Sequence, residues 1–336
     1  MLDIIHAIPP GFLETSAAEL HRILERPTLI HLPGRRSTPL FVSILLHGNE
    51  DVGLHAIQQL LLAYRGRTLP RALSIFVGNV AAAKEGVRRL PQQLDYNRAW
   101  PGGDYGNTPE HAMLSRVVEE MRQRQVFASV DLHSNTGLNP HYACVNRLEH
   151  AFLHLATLFS RTVVYFTRPT GVQSMAFAPL CPAVTVECGR VGDTRGIEHA
   201  RAYVEACLNL SALPEYPVAC HDLDLFHTVA TVKIPADVSF GCGNPQAELN
   251  LRADLERLNF RELAEGTLFA HVNRDKGILL QVKNEAGDEK GDDFFTRGAG
   301  EIILRRPVMP AMLTCDEKVI RQDCLCYFME RYPLPS

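Results

Sequence analysis

The chain has no apolar run near the roughly 18 residues needed to cross a bilayer. Its first residues, Met1-Leu2-Asp3-Ile4-Ile5-His6, lack a positive segment followed by a long apolar one. Neither a membrane span nor a secretory signal is expected, and the cytoplasm is the expected location. An excess of basic charge is missing as well. The 34 Lys and Arg and 38 Asp and Glu give a formal net charge of −4, with the signs interspersed, so no face for nucleic acid is predicted. Nine cysteines, scattered from Cys144 to Cys326, lack the paired two-residue spacing of a structural zinc site. Their odd number predicts free thiols in a reducing compartment. Repeats and low-complexity tracts are also absent.

What is present suffices for a substantial core, since 46% of the 336 residues are hydrophobic. After a short amphipathic segment at 17–24, a regular alternation begins at Pro39. Strand-like 40–46, helix-like 52–64 and strand-like 73–77 precede a long loop through 100–107. Helix-like 110–124 and strand-like 126–132 follow, with further strands at 162–166 and 183–188 and a helix at 196–210. This predicts an α/β fold, with a mixed, largely parallel sheet flanked by helices over residues 1–213. Pro214-Glu215-Tyr216-Pro217 reads as a linker. Short β-prone pieces at 225–234, 267–272, 277–282 and 301–305 then predict a smaller β-rich C-terminal domain over 218–336, with a helix at 246–258.

Within this pattern Leu45-Leu46-His47-Gly48-Asn49-Glu50 ends an apolar run with a His and a Glu three residues apart. One side chain at the end of a strand and one in the first turn of the next helix can converge on a single ion. His133, leaving the β-prone run 126–132 in Asp131-Leu132-His133, supplies a third ligand from a distant strand. His47, Glu50 and His133 form the two-His, one-Glu set of a catalytic zinc, with one zinc ion per chain and a position left open for water. In an extended strand Asp131 shares a face with His133 and can orient its ring, although such a residue also serves as a turn former. Glu187, in Pro182-Ala183-Val184-Thr185-Val186-Glu187-Cys188-Gly189, is a lone carboxylate in an apolar run and the candidate general base. An edge-strand carboxylate facing solvent is the plain alternative. Cys188 points to the opposite side of the strand from Glu187 and is read as a buried structural thiol. His150 and His154 lie four apart on a helical stretch but lack a His-Glu-x-x-His order, so surface or interfacial positions are expected for them.

Taken together, His47-Gly48-Asn49-Glu50, Asp95-Tyr96-Asn97-Arg98, Asp131-Leu132-His133 and Val186-Glu187-Cys188-Gly189 resemble, in order and separation, the aspartoacylase and succinylglutamate desuccinylase family of zinc carboxypeptidase-like hydrolases. The likeness spans roughly residues 38–210 and is weaker beyond. It implies zinc held by His47, Glu50 and His133, Glu187 as base, and Asn97 and Arg98 as a clamp for a substrate carboxylate. A guanidinium fork with a neighbouring amide suits that last task. Tyr96 departs from the family's Leu, and the arginine that polarises the scissile carbonyl corresponds to Arg88 or Arg89. Arg89 is the closer match and is assigned the catalytic role, with a basic loop before Pro91 as the plain alternative.

The expected activity is zinc-dependent hydrolysis of the amide bond of an N-acyl amino acid or a similar small carboxylate-bearing substrate. A metallocarboxypeptidase acting on short peptides and a non-catalytic metal-binding sensor on the same fold are the alternatives. No nucleic-acid or membrane partner is expected, and the oligomeric state is not legible in the chain.

Overall fold

The structure, a computed structural model, describes residues 2–272, 280–298 and 300–333. The chain divides into two compact units, one comprising Met1–Ser134 with His141–Asp224 and the other Asn135–Pro140 with Leu225–Ser336. No helix among the described residues is long and apolar enough to cross a membrane.

The first unit is α/β. Its strands are β1 (Asp3–Ile5), β2 (Thr28–Leu32), β3 (Gly34–Ile44), β4 (Leu69–Val77), β5 (Ala128–Asn135), β6 (Tyr142–Val145), β7 (Thr162–Tyr165) and β8 (Ala183–Arg190). They lie in the order β1-β2-β4-β3-β5-β8-β6-β7. β3 runs parallel to both β4 and β5, and β6 parallel to β7, whereas β2 is antiparallel to β4 and β6 antiparallel to β8. The sheet is thus mixed with a parallel centre. All eight residues of β5 are buried, as expected of a strand covered on both faces.

Six helices accompany this sheet: α1 (Val52–Ala63), α2 (Val80–Lys84), α3 (Pro109–Gln123), α4 (His150–Thr157), α5 (Gln173–Phe177) and α6 (Thr194–Asn209). α3 shows how the sequence sets such an element. The Thr108 side chain accepts from His111 N, Pro109 opens the first turn, and Met113, Leu114, Val117, Val118 and Met121 form one buried stripe. α6 is held at its C-terminal end by arginines: Arg71 Nη2 donates to Leu210 O at 2.9 Å and Arg36 Nη1 to Asn209 O at 3.5 Å. Arg71 also stacks on Phe127 at 3.5 Å, so this almost fully buried cation is balanced by helix-end carbonyls and a ring face.

The second unit is β-rich. β9 (Asp224–Lys233), β13 (Gln281–Asn284), β16 (Met309–Ala311) and β17 (Cys326–Arg331) pair with one another, while β10 (Phe240–Cys242), β11 (Leu249–Leu251), β12 (Leu268–Val272), β14 (Phe295–Gly298) and β15 (Glu301–Leu304) form a five-stranded sheet. Short helices α7 (Gly291–Phe294) and α8 (Glu317–Gln322) accompany them. Phe269, Phe295 and Phe328 meet in its core at ring distances of 5.4–5.9 Å.

Three expectations are corrected. The helix expected at 246–258 is strand β11 followed by a 3-10 turn at Leu255–Leu258. Leu251, Leu255 and Leu258 imitate a helical spacing, but Leu249 and Leu251 are buried two apart and pair with Val272 and Ala270 of β12. The amphipathic segment at 17–24 is reduced to a 3-10 turn at Leu20–Arg22. The cysteines are not all free, because Cys242 and Cys315 form a disulfide, leaving seven thiols. Part of the strand expected at 277–282 lies outside the described residues.

Candidate metal centre

The loop after β3 is shaped by its own sequence. Leu45 adopts a left-handed conformation (φ 54°) that turns the chain out of the strand. Gly48 passes so close to α2 that a Cβ would lie 2.2 Å from Ala83 N, which only glycine permits. Gly48 N donates to Arg88 O at 3.1 Å and Glu50 N to His47 O at 3.1 Å. This turn folds Glu50 back onto His47 just before α1, rather than within its first turn as the spacing suggested.

His47, Glu50 and His133 are all buried, and one ligand atom from each lies within 4.8 Å of the others. No other group of three His, Cys, Asp or Glu ligands closes in this way among the described residues. His47 Nδ1 stands 2.7 Å from Glu50 Oε1, and His133 Nδ1 stands 2.7 Å from Glu50 Oε2. The opposite ring nitrogens face carboxylates: His47 Nε2 lies 3.1 Å from Asp95 Oδ1 and His133 Nε2 lies 2.9 Å from Asp131 Oδ2.

That arrangement has a consequence. If each Nε2 carries the proton it gives to its aspartate, each Nδ1 presents a lone pair to a carboxylate oxygen, and the contact is repulsive unless positive charge lies between them. The carboxylates of Glu50, Asp95 and Asp131 surround the two rings, with Arg88 against Glu50 and Asp95 and Arg98 also acting on Asp95, so the buried cluster is one that attracts positive charge. The titration tendencies agree. Burial and Arg88 oppose protonation of His47, but Glu50 and Asp95 outweigh them and its pKa rises. Burial likewise opposes protonation of His133, yet Asp131 and Glu50 raise its pKa well above the usual histidine range. Glu50, despite burial, is driven down by the two histidines. The donor set therefore fits a metal ion, and two imidazoles with one carboxylate suit zinc.

Asp95 knits the rim of the centre. Its Oδ1 accepts from Asn97 N at 2.8 Å, and its Oδ2 accepts from Arg88 Nε at 3.3 Å and Nη2 at 3.0 Å. Arg88 Nη1 is 3.8 Å from Glu50 Oε1. Arg89, the residue assigned from the sequence, turns away and donates to Gln93 O at 2.9 Å. Arg88 is thus the arginine beside the ligands. Asn97 is buried with its Oδ1 accepting from Gln173 N at 3.3 Å, and its Nδ2 stands 3.3 Å from His133 Nε2. Half-buried Arg98 follows directly and donates to Asn97 O at 2.8 Å.

Glu187 lies on β8, buried, in register with Tyr142 of β6. Burial raises the pKa of both Cys144 and Cys188 and the Glu187 charge adds to it, with Glu50 adding further at Cys188. Thr185, two residues earlier on the same face, donates to Ser174 Oγ at 3.2 Å. Ser174 adjoins Gln173, which holds Asn97, so polar contacts run from the face bearing Glu187 to the ligand His133. Asp95 and Gln173 were not singled out from sequence, although Asp95 opens the quoted Asp-Tyr-Asn-Arg motif. His154 is half-buried and its Nε2 lies 2.8 Å from Tyr216 O.

The model of the succinylglutamate desuccinylase/aspartoacylase catalytic domain matches residues 39–211, just over half of the chain. The chain belongs to this family. Comparison with curated proteins finds no match. Among solved structures, the succinylglutamate desuccinylase from Chromobacterium violaceum is 17% identical, with 90% of this chain and 87% of that one covered at a TM-score of 0.61. Murine aminoacylase 3 is 13% identical, with 89% and 96% covered at 0.57. The ectoine utilization protein from Ruegeria pomeroyi, solved with product bound, is 15% identical, with 83% and 88% covered at 0.51. At these identities the likeness establishes a shared fold.

Proposed function

We propose that the chain is a zinc-dependent amidohydrolase that removes the acyl group from an N-acyl amino acid or a similar small amide bearing a carboxylate. The observation that carries this reading is the convergence of His47, Glu50 and His133, all buried, with one ligand atom of each within 4.8 Å of the others. A zinc ion bound there supplies Lewis acidity toward water and the scissile carbonyl. Glu187 takes a proton from the attacking water and passes it to the departing nitrogen, a task suited to a buried carboxylate in an apolar strand. Arg88, already beside Glu50, offers a guanidinium to the negative charge that develops on the carbonyl oxygen. Asn97, its amide oriented by Gln173 N, and Arg98 hold the substrate carboxylate. The names desuccinylase and aminoacylase borne by structurally similar proteins support an acylated amino acid as substrate.

The deciding experiment pairs metal analysis with turnover on a panel of N-acyl amino acids and short peptides. Wild-type protein should carry one zinc per chain and hydrolyse the acylated amino acids. Glu187→Gln should keep the metal and lose at least about a hundredfold in kcat. A near-normal rate in that variant removes Glu187 from the mechanism. Cleavage of peptides alone supports the carboxypeptidase, and bound zinc with no hydrolysis supports the sensor.

A further inference from the structure

The two histidines of the centre differ in what stands behind them. Asp95, behind His47, is neutralised by the Arg88 fork. Asp131, behind His133, instead receives a hydroxyl: Ser43 Oγ donates to its Oδ1 at 2.7 Å. Ser43 and Asp131 are both fully buried and stand in register on the neighbouring parallel strands β3 and β5. β3 leads to His47 and Glu50, and β5 carries His133. The earlier partners in that ladder are Leu40 with Ala128, Phe41 with Ser129 and Val42 with Val130. A hydroxyl in the apolar run Leu40-Phe41-Val42-Ser43-Ile44 costs free energy unless it is bonded, so its position there requires a reason.

We propose that Ser43 is a positioning residue for the metal centre, holding the Asp131 carboxylate at the angle where its second oxygen accepts from His133 Nε2 and so presenting His133 Nδ1 to the ion. The proposal rests on the metal reading given above. The physical reason is that an aspartate carboxylate turns easily about its last torsion. With one oxygen tied to β3 and the other to His133, that torsion is set, and with it the tautomer and tilt of the ligand ring. The same bond ties together the two strands that deliver all three ligands.

The test is competition between the full-length protein and a chelating dye for zinc, with the melting temperature of the metal-free protein recorded in parallel. Ser43→Ala should weaken zinc binding about tenfold, and Ser43→Thr, which keeps the hydroxyl, should stay within about threefold of wild type. Asp131→Asn should also weaken binding, and adding Ser43→Ala to it should change little further, because the serine acts through the aspartate. If Ser43→Ala does not fold, Ser43→Cys, nearly the same size but a poor donor, carries the same expectation. Unchanged zinc affinity in the folded variant overturns the proposal, as does an equal loss from Ser43→Ala with and without the Asp131 change. Wild-type protein that takes up no zinc overturns the metal reading itself and this proposal with it.

Discussion

Arg88 grips Asp95 through two guanidinium nitrogens, Nε at 3.3 Å and Nη2 at 3.0 Å, both on the one oxygen that His47 leaves unused. Its third nitrogen stands 3.8 Å from Glu50. Because a lysine keeps the charge but not the fork, Arg88→Lys should lose about a hundredfold in kcat/KM while its zinc content stays at wild-type level. Arg89→Ala should stay within about threefold, since its guanidinium serves the Gln93 carbonyl. Steady-state kinetics with metal analysis on both variants check this, and the reverse pattern would return the catalytic role to Arg89.

Removing the metal should cost stability as well as rate. A ligand that binds the folded chain alone stabilises it by about 4 kcal/mol when present at a thousand times its dissociation constant. Dialysis against a chelator should therefore abolish turnover and lower the melting temperature by several degrees, and added zinc should restore both. Glu50→Gln, which removes the shared carboxylate between the two Nδ1 atoms, should show no such zinc-dependent shift. A zinc-induced rise in that variant equal to wild type would place the ion elsewhere.

Much of the site was legible because its chemistry is local. His47 and Glu50 sit three apart in one turn, and His133 ends an apolar run, so residue type and strand periodicity sufficed to single them out. What escaped depends on loops and on contacts distant in the chain. Arg88 and Arg89 are adjacent in a loop with no periodicity to say which turns inward, and only the loop's path against Gly48 decides it. Ser43 and Asp131 are 88 residues apart and meet through strand register. The false helix at 246–258 arose because leucines at 251, 255 and 258 satisfy a helical spacing, whereas Leu249 and Leu251 pair with Val272 and Ala270 of β12 and Leu255 and Leu258 fall in a separate 3-10 turn.

The disulfide yields a prediction from loop length. Cys242 and Cys315 close a segment across a separation of 73 residues. Constraining the unfolded chain over such a span is worth roughly 2–5 kcal/mol. Reductant should lower the urea midpoint of the second unit by a corresponding amount and should have no effect on the Cys242→Ser/Cys315→Ser double variant. A midpoint in wild type that ignores reductant would show that the two thiols are not joined in solution.

His31 gives the protein an acid sensitivity that does not involve the metal centre. Its ring is buried, Nδ1 lies 2.8 Å from Ser74 Oγ, and Nε2 has no hydrogen-bond partner among the described residues. Burial first, then Arg124 and His6, push its pKa down from 6.5 to about 4. Between those values the unfolded chain binds a proton that the folded chain refuses, so stability rises with pH across this window and is lost as pH falls from 6.5 toward 4. The loss amounts to at most about 3 kcal/mol. His31→Asn keeps a polar group near Ser74 but cannot titrate. Urea denaturation at pH 7 and pH 4.5 should therefore show wild type losing more stability than the variant over that interval, with the gap opening only below pH 6.5. Equal losses in both proteins would mean that His31 takes up its proton in the folded state as readily as in the unfolded one.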